Sequence, residues 1–287
     1  MFISDKVICI VYVDDTLLFS PRPEYIDEVL TQVREEDLEL EEEDDVAGFL
    51  GVNVDSDSKS GEIKITQIGL INRIIESLGC DTLPGKKTPA EYGALGTDKL
   101  GDPPQGAFSY RTVIGMLQYV HTHTRPDLTL AVSQCSRFIH CTKRSHKLAL
   151  IRIGQYLKLT RDNGIILKPN NEMGIKCYVD ADFAGLWGIE DAQDPTCVKS
   201  RTGYFLRIAD CPMIWASKLQ TDIALSTMEA EYNALSAALK GLLLLRRLVE
   251  TVAEAVNIPV EPKVQMRVSV WGTTRVHLLL LTLNLVE

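Results

Sequence analysis

The sequence predicts an α/β protein, with strands and helices falling in separate blocks along the chain. Three observations carry that prediction. The opening run Val7-Ile8-Cys9-Ile10-Val11-Tyr12-Val13 is β-branched and apolar on both faces, which suits a buried strand. Between Tyr110 and Lys158 the apolar residues suit helices. After Pro169 the pattern turns to strands and closes on one long apolar stripe over residues 227–256.

The first strand meets Asp14-Asp15 and then a second apolar run, residues 16–19, so two strands joined by a tight turn are expected. Pro21 and Pro23 stop the second strand. Residues 24–33 read as an amphipathic helix, with Tyr25, Val29 and Val33 apolar. The acidic run 35–45 reads as a solvated surface element, because consecutive acids point apart and form no metal cage. Residues 49–54 and 62–65 read as strands around a Ser/Asp/Gly-rich turn, and 70–78 as a short helix closed by Gly79. Residues 85–106, rich in Gly, Pro and Lys, read as a linker. Helices are expected at 110–120, 126–142 and about 145–158. Strands are expected at 174–179, 203–208 and 213–217. A long helix over 227–256 has Gly241 as its weak point, and 263–270 would be a fourth strand.

A length of 287 residues suggests about two domains. With 45% hydrophobic and 24% charged residues, the chain is globular rather than disordered. A net charge of -9 argues against a free-standing nucleic-acid binder, which is usually basic. There is one local exception. No acid lies between Leu128 and Arg161, a stretch that carries Arg137, Lys143, Arg144, Lys147, Arg152 and Lys158. It reads either as a polyanion-facing surface or as a charged solvent face. Seven cysteines without a CxxC pair exclude a disulfide framework and a thiolate zinc site, and imply reduced thiols inside a cell. No cationic leader with a cleavage site opens the chain, and residues 276–286 are too short to span a bilayer. The expectation is therefore an intracellular protein, neither secreted nor membrane-bound. The five histidines assemble no site, with His121 and His123 expected at the surface or at a cap. Cys177 reads as core filler, and Trp187 and Trp215 as packing residues.

Two groups of carboxylates suggest chemistry. In Tyr12-Val13-Asp14-Asp15 a tight hairpin presents both acids at one tip, where hard divalent cations could bind. Alone, such a pair is most often turn chemistry. With the aromatic before it, it resembles the Tyr-x-Asp-Asp hairpin of a reverse transcriptase palm. The resemblance gives Asp14 and Asp15 the role of Mg²⁺ ligands in nucleotidyl transfer. The second group is Tyr178-Val179-Asp180-Ala181-Asp182, followed by Met228-Glu229-Ala230-Glu231-Tyr232, with the strand start Arg201-Thr202-Gly203-Tyr204 between them. An acid at the end of a central strand and another on the following helix can face one point, as a two-metal nuclease needs. This order resembles a ribonuclease H domain. Asp180 matches its first acid, with Asp182 as backup. Glu231 is preferred over Glu229, because the following Tyr232-Asn233-Ala234-Leu235 matches the family pattern.

The intervening text extends the resemblance. Phe49-Leu50-Gly51-Val52, the run 110–119, Thr124-Arg125-Pro126-Asp127-Leu128, Ser136-Arg137-Phe138, Tyr156-Leu157-Lys158, the run 180–185 and the run 226–232 occur in order. Over about residues 7–270 the chain resembles the polyprotein of copia-type LTR retrotransposons. The resemblance implies an α+β palm and thumb remnant over 1–84 and a linker with a helical connection over 85–170. Over 171–287 it implies a ribonuclease H-like mixed sheet with helices, truncated at its end. It also implies Mg²⁺ or Mn²⁺ as cofactor, and an RNA–DNA hybrid or template–primer, together with the rest of the polyprotein, as partners. The basic stretch would then lie along the template–primer path.

Two departures count against activity. The family palm has a further metal-binding acid on an earlier strand, whereas only six residues precede Val7, so no polymerase activity is expected of this chain alone. The nuclease has a third Asp after its fourth strand, usually followed by Asn. Here residues 270–277 read Val-Trp-Gly-Thr-Thr-Arg-Val-His, and no acid lies between Glu261 and Glu287. Read one base earlier, the codons of Gly272-Thr273-Thr274 can spell Asp-Asn. A frameshift near residue 271 would account for that and would make the leucine-rich tail out-of-frame text. The expectation is a catalytically inactive fragment of a reverse transcriptase–ribonuclease H polyprotein, poorly soluble or in need of a partner. The alternatives are a residual hybrid nuclease that recruits Asp182, Glu229 or Asp191, and a non-catalytic nucleic-acid-binding module.

Overall fold

A computed structural model describes residues 1–13, 15–36, 41–42, 49–57, 59–105, 108–170, 174–255 and 269–271. Asp14, most of the acidic run 35–45, most of the expected strand 263–270 and the leucine-rich tail lie outside the described residues.

The expected α/β class is observed. Strands β1 (Phe2–Ile3), β2 (Ile8–Tyr12) and β3 (Asp15–Phe19) form an antiparallel sheet, with Tyr12 opposite Asp15 across the tight turn. Helix α1 (Pro23–Glu35) opens on a proline, whose fixed φ suits the first helical turn. The expected two-sided burial of the first strand is not found. Val7 is buried, but Val11, Tyr12 and Val13 are exposed. One small sheet and one helix supply too few layers to enclose them.

The expected strand at 49–54 is also shortened. Leu50 and Gly51 have φ of 52° and 69°, which no strand residue adopts, so β4 (Asn53–Asp57) begins after them. It pairs with β5 (Glu62–Thr66). Helix α2 (Ile68–Ser77) is closed by Gly79 at φ 64°, as its sequence predicts. Residues 85–105 hold no helix or strand but are fastened along their length. Lys86 N donates to Gln155 O at 3.2 Å, and Arg152 Nη1 and Nη2 reach Glu91 and Thr88, each at 2.9 Å.

Helices α3 (Tyr110–His123), α4 (Thr129–Ser136) and α5 (Arg144–Leu159) follow. The Ser109 side chain caps α3 by accepting from Thr112 N. The helix expected at 126–142 ends at Ser136, because the chain turns to bury Phe138, which stacks on His146 at 3.9 Å. Ile71, Ile74, Leu117, Leu128, Leu150 and Leu157 are fully buried in one core shared by α2, α3, α4, α5 and the turn before α4. Strand β6 (Ile165–Leu167) then returns to pair with β5, an element the sequence pattern did not mark.

The second core belongs to a four-stranded mixed sheet in the order β10-β7-β8-β9. Its strands are β7 (Ile175–Asp182), β8 (Arg201–Ile208), β9 (Cys211–Leu219) and β10 (Ser269–Trp271), the last parallel to β7. Ile175, Cys177 and Val179 alternate toward α6 (Thr227–Ala255) and meet Ala234, Ala238 and Leu242 there. The small side chains of Ala230, Ala234 and Ala238, all fully buried, let the helix lie close to the sheet. Gly241 does not break α6. It lies over Leu206 and Tyr204, and packing outweighs the roughly 1 kcal/mol helix penalty of glycine. The helical layer and this sheet meet directly: Trp215 Nε1 donates to His121 O at 2.7 Å, and Arg201 Nη1 to Ser133 Oγ at 2.8 Å.

Candidate functional site

Asp180 and Glu231 come together at the exposed end of β7. Asp180 stands three residues from the strand's C-terminal end, after the last core residue Val179, and is exposed. Glu231 lies in the second turn of α6. Its carboxylate accepts a hydrogen bond from Ala181 N–H and feels the charge of Asp180. Partial burial first, and then the Asp180 charge, hold its carboxyl above the usual range, with the Ala181 N–H offsetting part of the shift. Two like charges held together create a demand for a cation or a proton.

The alternative acids are engaged elsewhere. Glu229 caps α6: its carboxylate accepts from Leu225 N at 2.7 Å, while its own N–H donates to Ser226 Oγ at 3.1 Å. The Asp182 carboxylate folds over Gly185 and stands across the strand pair from Arg201. Asp191 forms an ion pair with Lys99 and accepts from Gln193 N at 3.0 Å. The parallel register places Trp271 beside Tyr178, two residues before Asp180. The sequence then continues Gly272-Thr273, where the resemblance calls for an acid, and these residues lie outside the described ones. Among the described residues no group of three or more His, Cys, Asp or Glu is placed to hold a metal ion. Asp180 and Glu231 form the start of a divalent-cation site, but two carboxylates fall short of what a two-ion centre needs. At the other end of the chain, Asp15 is exposed at the β2–β3 turn, and its neighbour Asp14 lies outside the described residues.

The basic stretch does not form the polyanion-facing surface its charge suggests. Its cations are directed inward to fasten the chain. Arg137 donates to Leu95 O at 3.1 Å and pairs at 2.5 Å with Glu190, whose side chain is fully buried. Lys147 is buried and donates to Phe108 O at 3.1 Å. Lys143 reaches Gly101 O, Arg144 reaches Asp102, and Lys158 bonds Asp81 O and Leu83 O. Arg152 holds Glu91 and Thr88, as described above. Clean positive charge in the sequence reflects a need to bind the carbonyls and acids of residues 81–108. Glu190 is the residue that sequence reasoning passed over, because an acid in a polar loop carries no signal of burial when its partner lies 53 positions away. It also accepts from Thr97 N at 3.0 Å and from the Thr97 hydroxyl.

Three further expectations resolve here. Cys177 is core filler, fully buried, with burial raising its thiol to about 11. Trp215 is partly buried and hydrogen-bonded, but Trp187 is 64% exposed and does not pack. His121 is not a surface residue: it sits against β9, and burial lowers its pKa.

No protein-family model matches the chain. It is similar to the retrovirus-related Pol polyprotein from transposon RE1 of Arabidopsis thaliana, 30% identical over 234 residues. That alignment covers 80% of this chain and 15% of the relative. The Pol polyprotein from transposon RE2 of the same plant is 38% identical over 48% of this chain and 9% of the relative. That from transposon TNT 1-94 of Nicotiana tabacum is 28% identical over 86% of this chain and 18% of the relative. The chain thus spans less than a fifth of the length of these relatives. Among the described residues no helix is long and apolar enough to cross a membrane. The agreement along most of the chain, in the order of its motifs, assigns it: the chain belongs to the Pol polyprotein family of copia-type retrotransposons.

Proposed function

We propose that residues 174–271 form a ribonuclease H-like unit that keeps the first two carboxylates of a hybrid-cleaving site and lacks the third. The observation that carries this reading is the meeting of Asp180 and Glu231, an acid at the end of the central strand and one on the helix packed over it. Support also comes from the sheet order, with a parallel strand ending beside β7, and from the Pol relatives. In a complete site the acids hold divalent cations that polarise the scissile phosphate. Here Asp180 and Glu231 supply four oxygens and Ala181 N–H fixes one of them. Hydrolysis of an RNA–DNA hybrid is then the ancestral activity of the unit rather than an activity of this chain. By the same reading, the β2–β3 hairpin is the palm hairpin of a reverse transcriptase.

Cation binding tests the reading. Mg²⁺ or Mn²⁺ titrated against the folded protein should raise the thermal midpoint weakly and saturably through one site, and Asp180→Asn or Glu231→Gln should abolish the rise. Tight binding of two ions would contradict the missing third ligand. A rise that survives both substitutions would place the cation elsewhere.

A further inference from the structure

The groove between edge strand β9 and helix α6 has about 420 Å³ of open space. Thr202, Tyr204 and Lys218 form its floor, and Asn233, Ser236 and Lys240 one wall. The three wall residues fall at i, i+3 and i+7, one side of the helix. The end of the groove is rigid. Gln220 is 8% exposed, donates to Thr202 Oγ1 at 3.1 Å and to Ala230 O at 2.9 Å, and accepts from Asn233 Nδ2 at 3.4 Å.

Two ammonium groups line this groove with no hydrogen bond or ion pair to any described residue, in contrast to the inward-tied cations of residues 137–158. One acid, Asp222, lies at the edge and accepts from the Thr221 hydroxyl at 3.2 Å, so the lining keeps a net positive charge. Flexible ammonium groups beside hydroxyls suit a phosphate better than a planar carboxylate, which arginine recognises in bidentate fashion. Lys240 stands nine residues after Glu231, about 14 Å along the helix axis, or roughly four nucleotides at 3.4 Å per step.

We propose that the β9–α6 groove is a phosphate-binding site, with Lys218 and Lys240 as its cationic ligands, and that it holds a backbone phosphate of the strand whose scissile bond faces Asp180 and Glu231. The position along the strand rests on the nuclease reading; the phosphate site does not.

Lysine footprinting by mass spectrometry tests it on the full chain, with inorganic phosphate and an RNA–DNA hybrid oligonucleotide as separate probes. Both should protect Lys218 and Lys240 from acylation while leaving exposed Lys59 and Lys199 reactive. Lys218→Ala/Lys240→Ala should lower the log–log salt slope of hybrid affinity by roughly 1.8, about 0.9 per phosphate contact, with an unchanged circular dichroism spectrum. Protection by inorganic phosphate alone keeps the groove as a free-phosphate site and counts against the nuclease reading. Hybrid binding that leaves both lysines reactive and the double variant's salt slope unchanged overturns the groove while that reading stands. Absence of protection by either probe also overturns the groove.

Discussion

Glu231 ties the fold to the chemistry at a single side chain. Burial and Asp180 both hold its carboxyl above the ordinary value, so the folded state binds that proton more tightly than the unfolded chain does. The stability from this group is present at low pH and is lost as pH rises through the folded pKa. Glu231→Gln keeps the oxygen that accepts from Ala181 N–H and removes the charge. It should therefore stabilise the protein above the carboxylate range and have no effect below it. The gain should stay under about 1 kcal/mol, because solvent screens the pair. Denaturant melts at pH 4 and pH 8 check the sign. His146 moves the other way. Its ring is buried against Phe138, its Nε2 lies 2.8 Å from Gly96 O, and its pKa is lowered by burial. Its contribution is present above the unfolded pKa and lost as pH falls through the folded one. Arg125 shows why Thr-Arg-Pro-Asp stands out in the sequence. It is 1% exposed, with Nη2 2.7 Å from Asp127 and Nη1 2.9 Å from Thr160 O. Burial pushes the Asp127 carboxyl up, and the Arg125 guanidinium and Tyr156 hydroxyl more than offset it. Arg125→Met should cost about 3–5 kcal/mol, as for one partner removed from a buried pair.

At the scale of elements, the loop between β7 and β8 is held to the helical layer by one buried pair. Glu190→Ala should leave Arg137 without its partner and cost about 3–5 kcal/mol, whereas Arg137→Met combined with Glu190→Leu should recover most of that. A double-mutant cycle by urea melts measures the coupling. The alanine stripe of α6 makes the opposite kind of demand. Ala238→Leu should overpack the contact with the sheet, costing about 1–3 kcal/mol. Much of this layer was legible in the sequence. Period-2 and helical patterns located β2, β3, β5, β7, β8, β9 and α6, because each sets a buried face against a wet one. Strand β6 escaped notice because three residues carry no period, and its partner β5 lies about 100 residues earlier. The basic stretch misled for a related reason. Charge along a sequence reports composition, and only the folded path of residues 81–108 shows which carbonyls those cations meet.

For the whole molecule, Asp180 and Glu231 were legible as candidates from their motifs, and the fold brings them together. Their insufficiency was legible too, since no acid follows Trp271 before the terminal Glu287. The structure adds that Glu229, Asp182 and Asp191 each have another task, which closes the routes by which the chain could have rebuilt the site. The most direct measurement is hydrolysis of a labelled RNA–DNA hybrid by the purified chain with Mg²⁺ or Mn²⁺, run beside its Asp180→Asn variant and a metal-free blank. The account predicts no cleavage above the blank for either protein. Metal-dependent cleavage by the chain that disappears in Asp180→Asn would contradict it, and would show that a third ligand is supplied after all.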